Sequence, residues 1–221
     1  MRPLLWSMTR SDWHGAEHLH QGRGTIVAAN HQTNIDPLTF AYFLWANGVV
    51  PRILAKDSLF RVPVLRKVLV ATGQIPVSRG TTTAGRSLDA AAAALAQGET
   101  VAVFPEGTLT REPDLWPMQA KTGVARLALA TRAPVVPVAQ WGAHRLMGRY
   151  KKLLKPIPRK KVTVVAGPPV DLSDLYDQPL DGPVLREATD RIMAAITHQL
   201  EEIRGETAPP EPFVWRRGTP A

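Results

Sequence analysis

The chain has 221 residues, of which 44% are apolar, enough for one substantial core and too many for a disordered polymer. Lys and Arg number 27 against 19 Asp and Glu, a formal charge of +8, which suits an anionic partner such as a phosphorylated substrate or an acidic lipid surface. Cysteine is absent, so disulfides, thiolate metal sites and a cysteine nucleophile are excluded.

The first residues, MRPLLWSMTRSDW, hold no long apolar run with a cleavage site, and no secretory signal is read there. Strands are expected at 25–29 (TIVAA), 52–55, 74–77, 100–104, 134–139 and 161–166, each short, β-branched and bounded by Gly, Pro or polar residues. Helices are expected between them at 37–46, 62–71, 83–96, 122–131 and 183–203. The alternation predicts an α/β fold: a single domain, residues 1–205, with a largely parallel central sheet flanked by helices. The Pro-rich tail 206–221 is expected to be loosely held, with docking of Phe213 and Trp215 as the alternative. The longest mostly apolar stretch, 38–50, is far short of the ~20 residues a spanning helix needs. The expectation is an intracellular protein, peripheral on the cytoplasmic face of the membrane.

The first predicted strand runs into Asn30-His31-Gln32-Thr33-Asn34-Ile35-Asp36-Pro37. Ligand groups in open α/β sheets gather past the carboxyl ends of strands, which places His31 well. Asp36 before Pro37 has the pattern of a helix N-cap. From there its carboxylate can accept from His31 Nδ1 and leave Nε2 free as a base. A plain cap beside a solvent-facing histidine fits the same spacing. One His and one Asp are too few for a metal, and no metal site is expected.

The octet resembles the first motif of the glycerolipid acyltransferase family, a His and an Asp separated by four residues. Three further blocks follow in the family's order. Gly73-Gln74-Ile75-Pro76-Val77-Ser78-Arg79 resembles the second motif, Phe104-Pro105-Glu106-Gly107-Thr108 the third, and Ala133-Pro134-Val135-Val136-Pro137-Val138 the fourth. The segment from Ala55 through Lys56 to Phe60 is similar to the family's stretch between the first two motifs. The likeness runs over roughly 17–167. One departure stands out: where the family's third motif carries Arg after Thr, this chain has Leu109, and the next arginine is Arg111.

The resemblance implies transfer of a fatty acyl group from acyl-CoA, or acyl carrier protein, to a hydroxyl of 1-acylglycerol 3-phosphate or glycerol 3-phosphate. His31 would be the general base, oriented by Asp36. It implies no cofactor beyond the acyl carrier as co-substrate. The direct route, with no acyl-enzyme, agrees with the missing cysteine. For substrate binding it points to Lys56, Gly73, Arg79, Glu106, Gly107, Thr108 and Arg111. Arg79 would take the acceptor's phosphate with its planar fork. Lys56 and backbone N–H groups near Gly107 are oxyanion candidates. Glu106 would bond the glycerol hydroxyl or anchor Arg79.

Residues 149–161 read RYKKLLKPIPRKK, seven cations with apolar residues interleaved and no acid. That mixture fits an anionic membrane surface. The apolar segments 38–45 and 59–70 could line an acyl channel, enter lipid or pack as core. Nucleic acid is not expected, since aromatics are few and no reading motif is present. The alternatives are the same chemistry on another lysolipid acceptor, or a non-enzymatic basic protein on anionic membrane.

Overall fold

In the computed structural model, residues 7–77, 84–151 and 153–215 are described. Strand β1 comprises Thr9–His14, β2 Thr25–Ala29, β3 Pro51–Lys56, β4 Ile75–Val77, β5 Thr100–Val103, β6 Val135–Trp141 and β7 Lys160–Ala166. The run TIVAA in β2 is buried at every position, as a strand covered on both faces must be. It pairs in parallel with β5 and β6, Ile26 lying level with Val101 and Val135. The sheet order is β1-β7-β6-β2-β5-β3-β4. The pairs from β6 across to β4 are parallel; β7 runs antiparallel to β6, and β1 runs parallel to β7.

The helices are α1 (Asp36–Ala46), α2 (Pro63–Ala71), α3 (Ala84–Ala96), α4 (Gly123–Thr131), the short α5 (Ala143–Leu146) and α6 (Gly182–Arg204). Side chains alternate across β2, so Ile26 and Ala28 face one way and Val27 and Ala29 the other. The first pair joins Leu95, Leu127, Leu185, Ile192 and Ile196 of α3, α4 and α6. The second joins Phe40, Phe43 and Leu44 of α1. Each of these phenylalanines, fully buried, adds roughly 1.5–3 kcal/mol over an exposed ring. Helix α6 has its stops written in sequence. Asp181 accepts from Val184 N–H at 3.1 Å, Pro183 sits in the first turn, and Gly205 closes the end at φ 65°.

Two expectations change. Strand β1 was not foreseen, because TRSDWH carries no apolar run; it is an edge strand tied to β7 by Asp12, which meets Lys161 Nζ at 2.9 Å and the Thr163 hydroxyl at 3.0 Å. The tail is not loose where it is described. Ala208 N–H donates to Glu201 Oε1 at 2.8 Å, and Phe213 C=O accepts from Gln119 N–H at 2.9 Å.

Candidate active site

Strands β2 to β6 end at one edge of the sheet, and His31 follows β2 there. The ends of β2 and β6 are locked together by amides. Asn30 Nδ2 donates to Gln140 C=O, Gln140 N–H donates to Asn30 Oδ1, and Gln140 Nε2 donates to Asn30 C=O, at 3.0, 2.8 and 3.0 Å. All of these groups are buried, where an unpaired one would cost ~1–3 kcal/mol.

Asp36 is not the N-cap of α1. Ile35 holds that place, and Asp36 is the first helical residue. Its carboxylate turns back on the loop instead. Oδ2 accepts from Gln32 N–H, from Thr33 N–H at 2.7 Å and from His31 Nδ1 at 3.1 Å, while Oδ1 takes the Thr33 hydroxyl at 2.8 Å. Every neighbour donates to it, which selects the tautomer with the proton on Nδ1; in the neutral ring Nε2 then carries the lone pair. Asp36 is fully buried, and the His31 side chain is 14% exposed.

The His31 backbone is gripped from both sides by the loop that carries the third motif. Its N–H donates to Glu106 Oε1 at 2.9 Å, and its C=O accepts from Thr110 N–H at 2.7 Å. The ring stacks on Phe104, centroids 4.2 Å apart and planes 24° from parallel. Glu106 is thus turned onto the backbone that carries His31 rather than toward solvent. It is 2% exposed, and its other oxygen accepts from Met118 N–H at 3.1 Å. Burial pushes its pKa up to about 8, against the opposing pull of those two N–H donors. The neighbouring Thr110 hydroxyl donates to Trp116 C=O at 2.6 Å.

The other expected residues scatter. Gly107 turns the loop at φ 70°, but its N–H is spent on Phe104 C=O at 3.0 Å and is not open to an oxyanion. Thr108 beside it is partly exposed, and Lys56 is exposed at the end of β3, one strand beyond β5. Arg79 lies outside the described residues. Leu109 is core, 9% exposed. Arg111 lies between two rings, its guanidinium carbon 5.4 Å from the centre of Tyr150 and 5.1 Å from that of Trp215.

Gly73 is misplaced for substrate. It precedes β4, so it stands at the opposite edge of the sheet. Its φ is 66°, and a Cβ there would fall 1.3 Å from Arg52 Nη1. That arginine is ion-paired with Glu99, its Nε 2.9 Å from Oε2. The glycine makes room for a structural cation.

Two residues outside the motifs lie close to this edge. Lys121 lies over the third-motif loop; a Cβ on Gly107 would sit 3.3 Å from its Cδ and 3.8 Å from its Nζ. No motif flags it, because only folding brings it there. His144, after β6 on the same edge, packs 4.3 Å from the Trp141 ring. Desolvation, with Arg145 and Arg204 nearby, drives its pKa down to about 4, so it is neutral at ordinary pH.

Around this edge the surface is apolar and basic. The segment between β6 and β7 leaves and returns here, with Leu153 and Ile157 72% and 88% exposed. Helix α2 runs from this edge toward the opposite one and has no buried residue; Val62 and Val64 are exposed at its near end, and Val68 and Val70 farther along, beside exposed Arg66 and Lys67. The basic run is less uniform than its sequence. Arg149 donates to Glu112 and Pro113 carbonyls, Arg159 to Thr9 C=O, and Lys161 pairs with Asp12, while Lys151 and Lys155 are exposed. Lys152 lies outside the described residues. Among the described residues, no helix is long and apolar enough to cross a membrane.

The Acyltransferase family profile matches residues 10–141. A 1-acyl-sn-glycerol-3-phosphate acyltransferase of Borreliella burgdorferi is 34% identical over 137 residues, 59% of this chain and 50% of that protein. One of Limnanthes douglasii is 26% identical over 162 residues, 72% of this chain and 54% of that protein. The chain thus spans about half the length of these curated relatives. The crystal structure of the 1-acyl-sn-glycerophosphate acyltransferase PlsC from Thermotoga maritima superposes with a TM-score of 0.72 at 25% identity, covering 94% of this chain and 78% of that one.

Proposed function

The chain belongs to the acyltransferase family, and we propose that it carries a fatty acyl group from acyl-CoA or acyl carrier protein to a hydroxyl of 1-acylglycerol 3-phosphate or glycerol 3-phosphate. The observation that carries this reading is the buried Asp36 carboxylate 3.1 Å from His31 Nδ1, at the sheet edge where strands end. The names of the relatives supply the substrate class.

The chemistry is a direct transfer. The acceptor oxygen attacks the thioester carbonyl carbon while His31 Nε2 takes the hydroxyl proton. The tetrahedral intermediate collapses, the carbon–sulfur bond breaks, and the imidazolium returns its proton to the departing thiolate. Such base assistance is worth about 10²–10⁴ in rate. Asp36 holds the tautomer and balances the charge that develops on the ring. Glu106 and Thr110 fix the ring's root, and this holds reacting groups in line. Lys121, Lys56 and Arg79 are the cations we assign to the anionic parts of the substrates, the phosphate foremost.

The test is an acceptor screen. Purified protein receives long-chain acyl-CoA or acyl carrier protein with glycerol 3-phosphate, lysophosphatidate or a neutral lysolipid, and thiol release is followed. Release that depends on the phosphorylated glycerol is expected. Equal rates with the neutral lysolipid would transfer the assignment to another acceptor, and no release with any pairing would reject acyl transfer.

We assign the partner of the basic, apolar edge as an anionic membrane surface, met peripherally on the cytoplasmic face. Exposed cations near such a surface each add attraction, and exposed apolar side chains add burial. Replacing Arg66, Lys67, Lys151 and Lys155 by alanine should lower partitioning onto anionic vesicles by about tenfold or more and flatten its salt dependence. Unchanged sedimentation with those vesicles would refute the assignment.

A further inference from the structure

We infer that residues 213–215 of the C-terminal segment position the active centre, acting on His31 through the third-motif loop. Between β5 and α4, residues 104–122 form neither helix nor named strand. A segment of that kind must find partners for its backbone groups one by one. Trp116 N–H goes to Glu112 Oε2 at 2.8 Å and Met118 N–H to Glu106, while Gln119 N–H goes to Phe213 C=O. Met118 and Phe213 form an isolated parallel bridge. The outer side of the loop is closed by Arg204, 3.8 Å over Trp116 and donating to Asp114 C=O at 2.9 Å.

The tail meets this loop at two points, and each adjoins one of the two groups that fix the His31 backbone. Trp215 stacks on Arg111, the neighbour of Thr110, whose N–H holds the His31 carbonyl. Phe213 pairs with 118–119, and Met118 N–H holds Glu106, whose other oxygen holds His31 N–H. Lifting the tail frees both supports together. The ring would then keep its neighbour Asp36 but lose its fixed root. Trp215 and Phe213 touch no reacting atom; they are positioning residues.

This inference rests on His31 as the base. The experiment compares the unaltered chain, the chain ended after Pro212, Trp215→Ala, Trp215→Phe and His31→Ala, with acyl-CoA and lysophosphatidate as substrates. Ending the chain at Pro212 should lower kcat about 10- to 100-fold, with both KM values within about twofold, because a small misplacement costs rate and spares binding. Amide hydrogen exchange should quicken across 104–119 and stay unchanged in 84–96. Trp215→Ala should repeat a part of the loss, and Trp215→Phe, which keeps a ring on Arg111, should recover it. If the shortened chain does not fold, the two Trp215 variants decide alone.

Unchanged kcat in the shortened chain and in Trp215→Ala overturns the positioning role. So does exchange that quickens everywhere, since that marks general stability. Should His31→Ala retain turnover, the base assignment fails on its own account, whatever the tail variants do.

Discussion

His31→Ala lowers kcat by about 10²–10⁴-fold and leaves the protein folded. Among the described residues, the ring makes one side-chain hydrogen bond, to Asp36, and one stack, on Phe104. The residue's backbone bonds to Glu106 and Thr110 survive the change. Asp36 keeps its other three donors. Loss of one hydrogen bond and some packing amounts to about 1–2 kcal/mol, against the 5–15 kcal/mol that holds a domain folded. Thiol release with saturating substrates reads the rate, and circular dichroism with thermal unfolding reads the fold. Turnover close to that of the unaltered chain would falsify the general-base role.

Asp36 separates by substitution into a structural part and a chemical one. In Asp36→Ala, two loop N–H groups, a hydroxyl and the His31 ring lose their shared acceptor inside the core. At ~1–3 kcal/mol for each buried donor left unpaired, and allowing for partial relaxation, the unfolding free energy falls by about 3–5 kcal/mol. Asp36→Asn behaves differently. Its carbonyl oxygen replaces Oδ2 and keeps the three N–H donors, and its NH₂ faces the Thr33 hydroxyl, which can turn to accept. The fold persists, but the negative charge beside the ring is gone, and kcat falls by roughly the base's whole contribution, about 10²-fold or more. Urea denaturation of both variants beside their rates checks the pair. Alanine with a denaturation midpoint like the parent's, or asparagine with the parent's rate, contradicts it.

The sequence was most informative where structure depends on near neighbours. The helix at 183–203 was legible because Pro183 and Gly205 mark its ends; the structure adds the Asp181 cap and the face of Leu185, Ala188, Ile192, Ile196 and Leu200. The His31–Asp36 contact was legible because five residues of loop can close on themselves. Where a partner lies far along the chain, composition is silent. Glu106 looked like a ligand to substrate, yet its partners are the backbones of His31 and Met118. Gly73 looked like part of a binding motif, and its reason is Arg52 across the β3–β4 pair. The apolar segment 59–70 reads as channel lining, lipid contact or core, since amphipathic pattern says which face differs and not whether anything covers it. The tail's docking needed residues 111 and 119, which no local pattern connects to 213–215.

The double grip on the His31 backbone has a consequence for diversification. The groups that anchor the base, Asp36, Glu106 and Thr110, are buried together in the interior, whereas Lys56, α2 and much of the segment after β6 stand on the rim. On the acyl-transfer reading proposed above, the groups that would move the proton and the cations assigned to the substrates stand in separate compartments. If that reading holds, a directed-evolution library confined to the rim should change the preferred acceptor while leaving the proton-transfer groups beneath it in place.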